Sequence, residues 1–281
     1  MSRPLPVDQA DGLRRLFARP RVRFIPVVSN PHMAFGGMLL ERLCTAIGEH
    51  GLHTLVVDAG ERAAPHSELA LVDLADGIET LSAQVSYLAA RGLPIRFVDA
   101  QGSTSPFLQA LTDAAPHADV VLVHASAPEL CRLFTRGTDL ARAAGDDDAM
   151  VRPLLLADDR PASVTHAYAA LKLLTQRAGI VVHDLVLGAA PQSPRAERIA
   201  MQLATCADDF LGAVLHDWVQ LDPAAAPTEA PTPQLRRLIH EALRLGSAPR
   251  KDQPVYIDRP PQRSPQTATA RASQASAWAM N

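Results

Sequence analysis

Residues 22 to 58 constrain the fold more than any other stretch of this chain. Arg23-Phe24-Ile25-Pro26-Val27-Val28 is a short apolar run, followed by a loop and a helix-like stretch from about Gly37 to Glu49. After Gly51 comes a second apolar run, Thr54-Leu55-Val56-Val57-Asp58. Runs this short and apolar read as buried strands, so the segment is a strand–loop–helix–strand unit that opens an α/β sheet. Such a loop holds phosphate when glycines leave backbone N–H groups bare, a lysine reaches the terminal oxygens and a Ser or Thr binds magnesium. Here the loop is Ser29-Asn30-Pro31-His32-Met33-Ala34-Phe35-Gly36-Gly37. Pro31 donates no N–H, and Met33 and Phe35 add bulk where the backbone would approach a ligand. The first lysine in the chain is Lys172, so none stands nearby to substitute. The unit predicts a nucleotide-binding architecture without its phosphate chemistry, and Phe35 is expected to pack into the vacated space.

The rest of the chain continues the alternation. Strands are expected at 22–28, 54–58, 95–98, 119–124, 153–157, 180–187 and 213–221. Helical patterns lie near 36–50, 80–91, 105–114, 127–143, 161–178 and 194–210, with a last helix at 234–245. Near-continuous apolar strands alternating with helices predict a doubly wound, mostly parallel α/β sheet covered on both faces. Three parts follow: an N-terminal helix and linker at 1–20, the α/β domain at 21–245, and a tail at 246–281. The tail is too polar and proline-broken to bury a core and is expected to be disordered. In the last helix Leu235, Leu238, Ile239, Ala242 and Leu243 share one face, with Arg236, Arg237 and Arg244 opposite. Glu241 and the short length favour docking on the core over a membrane surface.

Composition excludes several classes. A net charge of −3 gives no case for nucleic acid, and any membrane association would be weak or indirect. Cys44, Cys131 and Cys206 are odd in number and far apart, which predicts reduced core thiols. No signal core opens the chain, no run of about 18 apolar residues could span a bilayer, and a cytoplasmic protein is expected. No H-E-x-x-H or C-x-x-C spacing occurs, so no metal site is expected. Asp58 and His124 fall at strand carboxyl ends, where α/β sites form, and His124 is expected to be a satisfied strand-end histidine.

Laid without gaps, residues 29–60 resemble the deviant Walker A pattern S-G-K-G-G-V-G-K-T of the MinD/ParA P-loop ATPases. Ser29 matches the leading serine, Gly51 the glycine after the helix, and Asp58-Ala59 the Asp-Ala pair. The family's signature lysine falls on Pro31, the P-loop lysine on Gly36, the magnesium-binding threonine on Gly37 and the second aspartate on Gly60. The fourth-strand switch carboxylate falls on His124. The resemblance therefore implies a MinD-like fold with a degenerate nucleotide site, no catalytic residue and no cofactor. ATP and magnesium enter only if the phosphate contacts are recruited unconventionally, in an active MinD/ParA-type ATPase.

Pro161-Ala162-Ser163-Val164-Thr165-His166-Ala167-Tyr168-Ala169-Ala170-Leu171-Lys172 is similar to the P-T-S-I-T-D-A-Y-A-L-I-K run of the flagellar FlhG (FleN/YlxH) group. Asp8-Gln9-Ala10-Asp11-Gly12-Leu13-Arg14 fits that group's D-Q-A-x-x-L-R element. This resemblance implies a regulator of flagellar placement and number, with the FlhF GTPase as partner and basal-body components as further ones. It also implies recruitment to the membrane or cell pole through a partner. Partner binding would fall on Asp8, Gln9, Ala10, Leu13 and Arg14. An accessory role in another envelope machine, such as cellulose secretion, is the alternative that this element disfavours. Independently of any family, Asp8 can cap a helix, and Ala10, Leu13 and Phe17 fall on one side of it. Gly12 costs such a helix roughly 1 kcal/mol relative to alanine. A helix this short is marginal until its apolar stripe is covered.

Overall fold

The computed structural model describes residues 22–134, 151–226 and 229–244. Its strands are β1 (Arg23–Val28), β2 (Thr54–Asp58), β3 (Ile78–Thr80), β4 (Val85–Ala89), β5 (Val120–Ala125), β6 (Leu154–Asp158), β7 (Val182–Gly188) and β8 (Val214–Leu221). The helices are α1 (Gly36–Gly48), α2 (Leu69–Val72), α3 (Pro106–Ala114), α4 (Ala127–Leu133), α5 (Pro161–Leu173), α6 (Ala196–Leu211) and α7 (Pro233–Arg244). The strands form one sheet in the order β3-β4-β2-β5-β1-β6-β7-β8. All pairs are parallel except β3 with β4.

Two apolar layers sandwich this sheet because its central strands are apolar on both faces. Ile25, Val27, Val56, Leu122 and Leu156 meet α1 and α7 on one side. Val28, Leu55, Val123 and Leu155 meet α3, α4, α5 and α6 on the other. The last helix docks on the core as its stripe predicts, burying Leu235, Leu238, Ile239 and Leu243. Thr232 Oγ1 accepts the Leu235 N–H at 3.2 Å. Arg236 grips Glu49 of the α1 end at 2.7 Å. Arg42, a buried arginine of α1, donates to the Ala226 and Glu229 carbonyls at 3.1 and 2.7 Å, which fastens the Pro/Ala stretch to the same helix.

Two local expectations are corrected. The stretch 80–91, whose Leu81, Val85 and Leu88 imitate a helical spacing, is instead the turn and strand β4, paired with β2 from Thr54↔Val85 to Asp58↔Ala89. A short apolar run fits either period, and here the open edge of β2 decides it. The expected strand 95–98 is instead part of a 3₁₀ turn, Pro94–Phe97, with the Arg96 N–H bonded to the Leu93 carbonyl at 3.0 Å. Pro94 cannot donate to a ladder, and β4 already fills the place beside β2. The expected helix 127–143 is seen as α4; its remainder falls largely outside the described residues, as do the N-terminal helix and the tail.

Candidate functional site at the carboxyl edge of the sheet

From β1 the chain turns one way, through α1 to β2; from β5 it crosses β1 the other way to β6. The crevice beyond the carboxyl end of β1 is therefore the topological switch point, where open α/β sheets place their sites. Side chains alternate faces along a strand. Ser29, Asp58, His124 and Asp158 thus continue the α1-side face set by Val27, Val56, Leu122 and Leu156. Tyr87 packs against that layer too. Adjacent strands β4, β2, β5, β1 and β6 so contribute one polar residue each to a staggered row on one face, with Asp58 and His124 in register, Tyr87 two residues before them, Ser29 two and Asp158 four residues beyond.

The middle of the row is one hydrogen-bonded cluster. Asp58 and His124 are register partners across β2 and β5, and Asp58 Oδ1 lies 2.7 Å from His124 Nδ1. The same carboxylate accepts the Gly60 N–H at 3.1 Å and, at its other oxygen, the Tyr87 hydroxyl at 3.4 Å. Burial pushes the Asp58 carboxyl up, but the His124 hydrogen bond and charge, with the Gly60 and Tyr87 donors, outweigh it and hold it below the usual carboxylate range. Burial and the Asp58 charge push the Tyr87 phenol up to about 12. An ionised Asp58 keeps a proton on His124 Nδ1, so this nitrogen is the donor of the pair. Gly60 completes the cluster by lacking a side chain. A Cβ there would lie 3.0 Å from His124 Cε1 and 3.1 Å from Asp58 Oδ1.

The loop after β1 is fastened by its own polar groups. The Ser29 N–H donates to the Ala125 carbonyl at 2.8 Å, and the Met33 N–H to the Asn30 carbonyl at 3.1 Å. The His32 N–H goes to Asn30 Oδ1 at 3.1 Å. Asn30 Nδ2 donates to the Leu156 and Ser163 carbonyls at 2.9 and 3.0 Å, locking the loop to β6 and α5. Three loop carbonyls face basic side chains. Arg62 donates to Met33 O at 3.1 Å, Arg160 to His32 O, and His166 Nε2 lies 3.2 Å from Ser29 O. Arg160 is itself held by Asp158 at 2.7 Å.

Of the residues singled out in the sequence, Ser29 is buried in the row and Pro31 lies in the turn. Gly36 and Gly37 open α1, and a Cβ at either would meet no other atom within 4 Å. Asp58 and His124 come together, so the strand-end histidine is satisfied as expected. Phe35 corrects an expectation: it is 52% exposed, whereas Met33 is 4% exposed and fills the space beneath the loop. The difference is position, since Phe35 directly precedes α1 and points away from the fastened turn 30–33. Asp8, Gln9, Ala10, Leu13 and Arg14 lie outside the described residues. Sequence reasoning missed Asn30, Arg62, Tyr87, Asp158 and Arg160. The only local signal was that each except Arg62 lies at or within two residues of a strand end. Cys44 and Cys131 are buried free thiols, with burial pushing Cys44 up to about 12. Among the described residues no group of three or more His, Cys, Asp or Glu could hold a metal ion, and no helix is long and apolar enough to cross a membrane.

This sheet order, with helices on both faces and a strand–loop–helix at the switch point, is the MinD-like α/β fold. Its neighbours among solved structures include a MinD cell division protein, McdA and a plasmid partition protein. Apo McdA of Cyanothece is 12% identical, with a TM-score of 0.50, over 79% of this chain and 100% of that one. Cobyrinic acid a,c-diamide synthase of Mycobacterium smegmatis is 13% identical, also at 0.50, over 81% and 96%. A MinC:MinD cell division complex of Aquifex aeolicus is 12% identical at 0.41, over 78% and 86%. At these identities the likeness is one of fold. No family model and no curated protein matches the sequence.

Proposed function

We propose that this protein is an FlhG-like regulator of flagellar placement and number that has given up ATP hydrolysis and acts by binding an FlhF-type GTPase. The observation that carries the loss of hydrolysis is the loop itself. Its Ser29, His32 and Met33 N–H groups are spent on internal acceptors, Pro31 has none, and its carbonyls face Arg62, Arg160 and His166. A triphosphate needs the opposite arrangement, with N–H groups turned towards it. The Asp58–His124 contact supports the same reading. An aspartate at 60, where the resembled family keeps its water-positioning carboxylate, would crowd that pair, its Cβ 3.0 Å from His124 Cε1.

In this reading the regulator works through its N-terminal segment. Gln9 is the polar residue nearest the partner's chemistry, Leu13 the apolar anchor, and Asp8 and Arg14 the orienting charges. The protein resides in the cytoplasm and reaches the membrane or cell pole through its partner. Calorimetric titration of the full chain with Mg-ATP is expected to give no binding tighter than about 1 mM. A micromolar dissociation constant, or turnover abolished by Asp58→Ala, would instead make it an active MinD/ParA-type ATPase. With the GTPase, Leu13→Ala should weaken binding by about 1–3 kcal/mol. Gln9→Ala should leave binding largely intact and lower the stimulated hydrolysis rate. Absence of both binding and stimulation by the full chain overturns the flagellar assignment.

A further inference from the structure

The short helix α2, between β2 and β3, is amphipathic in the reversed sense. Of Leu69-Ala70-Leu71-Val72 only Ala70 is buried, while Leu69 is 61% exposed, Leu71 42% and Val72 88%. Successive residues of a helix stand about 100° apart, so Leu71, Val72 and Leu69 form one continuous arc opposite Ala70. Single apolar side chains on a surface are ordinary, but an unbroken arc across a helical turn marks an interaction surface. The arc stands on a fixed platform. Ala70 and Leu74 are set in the apolar layer on the α3 side of the sheet. Gly77 makes room for them: a Cβ there would lie 2.4 Å from Ala70 Cβ and 3.2 Å from Leu88 Cδ1. Ser67 Oγ accepts the Ala70 N–H at 3.2 Å. His66 Nδ1 lies 2.9 Å from the Arg91 carbonyl oxygen, which ties the approach to α2 to the chain after β4. Apolar groups already held in place lose little freedom on binding.

The rim of this surface is acidic. Residues 64–81 hold Glu68, Asp73, Asp76 and Glu79 and no lysine or arginine. All four carboxylates are exposed, and none forms an ion pair among the described residues. Glu68 and Asp73 directly bracket the turn, so charge and apolar arc belong to one patch. That charge selects the occupant. A second copy meeting this face with its own would set four carboxylates against four. Anionic lipid and nucleic acid would be repelled in the same way. A protein segment with apolar anchors flanked by Arg or Lys is matched on both counts.

We propose that α2 is a docking surface for a basic, amphipathic segment of a partner protein. Leu69, Leu71 and Val72 take the partner's apolar anchors, and Glu68 and Asp73 take the cations beside them. Asp76 and Glu79 extend the negative field that draws the segment in. This surface lies on the α/β body and is separate from residues 8–14, so it stands or falls independently of the flagellar reading.

The test titrates the full chain with a leucine/arginine peptide whose leucines share one helical face, beside a scrambled peptide of the same composition. The amphipathic peptide should slow amide exchange in residues 68–73 and bind at least about tenfold more tightly than the scrambled one. Leu69→Ser with Val72→Ser, both exposed positions, should weaken it at least about tenfold and leave the melting curve unchanged. Glu68→Gln with Asp73→Asn, which keeps an acceptor for the Ala75 N–H, should weaken it about three- to tenfold at low salt and flatten its salt dependence. Equal binding of the scrambled peptide, no binding at all, or an affinity that either pair of substitutions leaves unchanged overturns the dock. Self-association of the wild type that Leu69→Ser with Val72→Ser abolishes places a second copy on α2 and also overturns it. The chain's own residues 246–281 carry five bases against two acids. Protection of 68–73 without peptide that is lost on deleting them makes that segment the occupant and overturns the partner.

Discussion

Asp58 and Asp184 sit on the same sheet, near its opposite ends, and each has a basic side chain 2.7 Å away. Their carboxyls nevertheless move in opposite directions. Asp58 is partly open to solvent and gathers His124, the Gly60 N–H and the Tyr87 hydroxyl, which together hold it low. Asp184 is fully buried on β7, and burial pushes it up to about 6 against the pull of Arg152 and His216. His216, with Glu241 of α7 at 3.8 Å from both basic groups, completes that second cluster. A counter-ion does not by itself set a carboxyl's ionisation. Remaining water and the number of converging donors decide it. The open cluster is built like a site, and the closed one like a clasp between β6, β7, β8 and α7.

If that contrast is right, breaking the clasp is the costlier change. Asp184→Asn strands the buried Arg152 and should cost about 3–5 kcal/mol. Asp58→Asn removes one partly exposed contact and should cost about 1 kcal/mol. Denaturant melts giving equal losses would erase the distinction between clasp and site.

The second test sharpens the loop's role. Met33→Ala should cost about 2–5 kcal/mol as a buried truncation, and Phe35→Ala less than about 0.5 kcal/mol as an exposed one. The reverse order in the same melts would restore Phe35 as the residue that fills the loop.

The smallest effect is one of cancellation beside the clasp. As pH rises from 3.8 to about 6, the unfolded chain releases the Asp184 proton before the folded one does, so this group's stabilisation fades. His183 is its neighbour, and burial pushes it down to about 4 from 6.5. As pH falls through that window the unfolded chain takes up its proton and the fold does not, so stability drops on acidification. The two slopes oppose, and the wild type should vary by less than about 1 kcal/mol from this pair between pH 4 and 6. His183→Gln should leave a chain whose stability falls as pH rises across that window. A variant with unchanged pH dependence would show that His183 does not titrate this way.

Much of the fold was legible because burial leaves a strong mark on composition. Val120-Val121-Leu122-Val123 has to be a covered strand, and the stripe of Leu235, Leu238, Ile239 and Leu243 has to find a core. The loop's chemistry was legible for the same reason of type: proline has no N–H and glycine no side chain wherever they fold. Helix or strand at 80–91 was not legible, because Leu81, Val85 and Leu88 recur at helical spacing although Val85 and Leu88 fall on opposite faces of β4, and only the free edge of β2 chose between them. Nor was the meeting of Asp58 with His124, 66 residues apart, which exists because β5 inserts between β1 and β2 in this register. The sequence by itself determined β1, β2, β5, β6, β7 and β8 of the parallel sheet and which groups the loop lacks. Tertiary structure alone decided which polar residues share a face, that Met33 rather than Phe35 is buried, and which carboxyl keeps its charge. These depend on strand order and solvent access, quantities that no local run of residues carries.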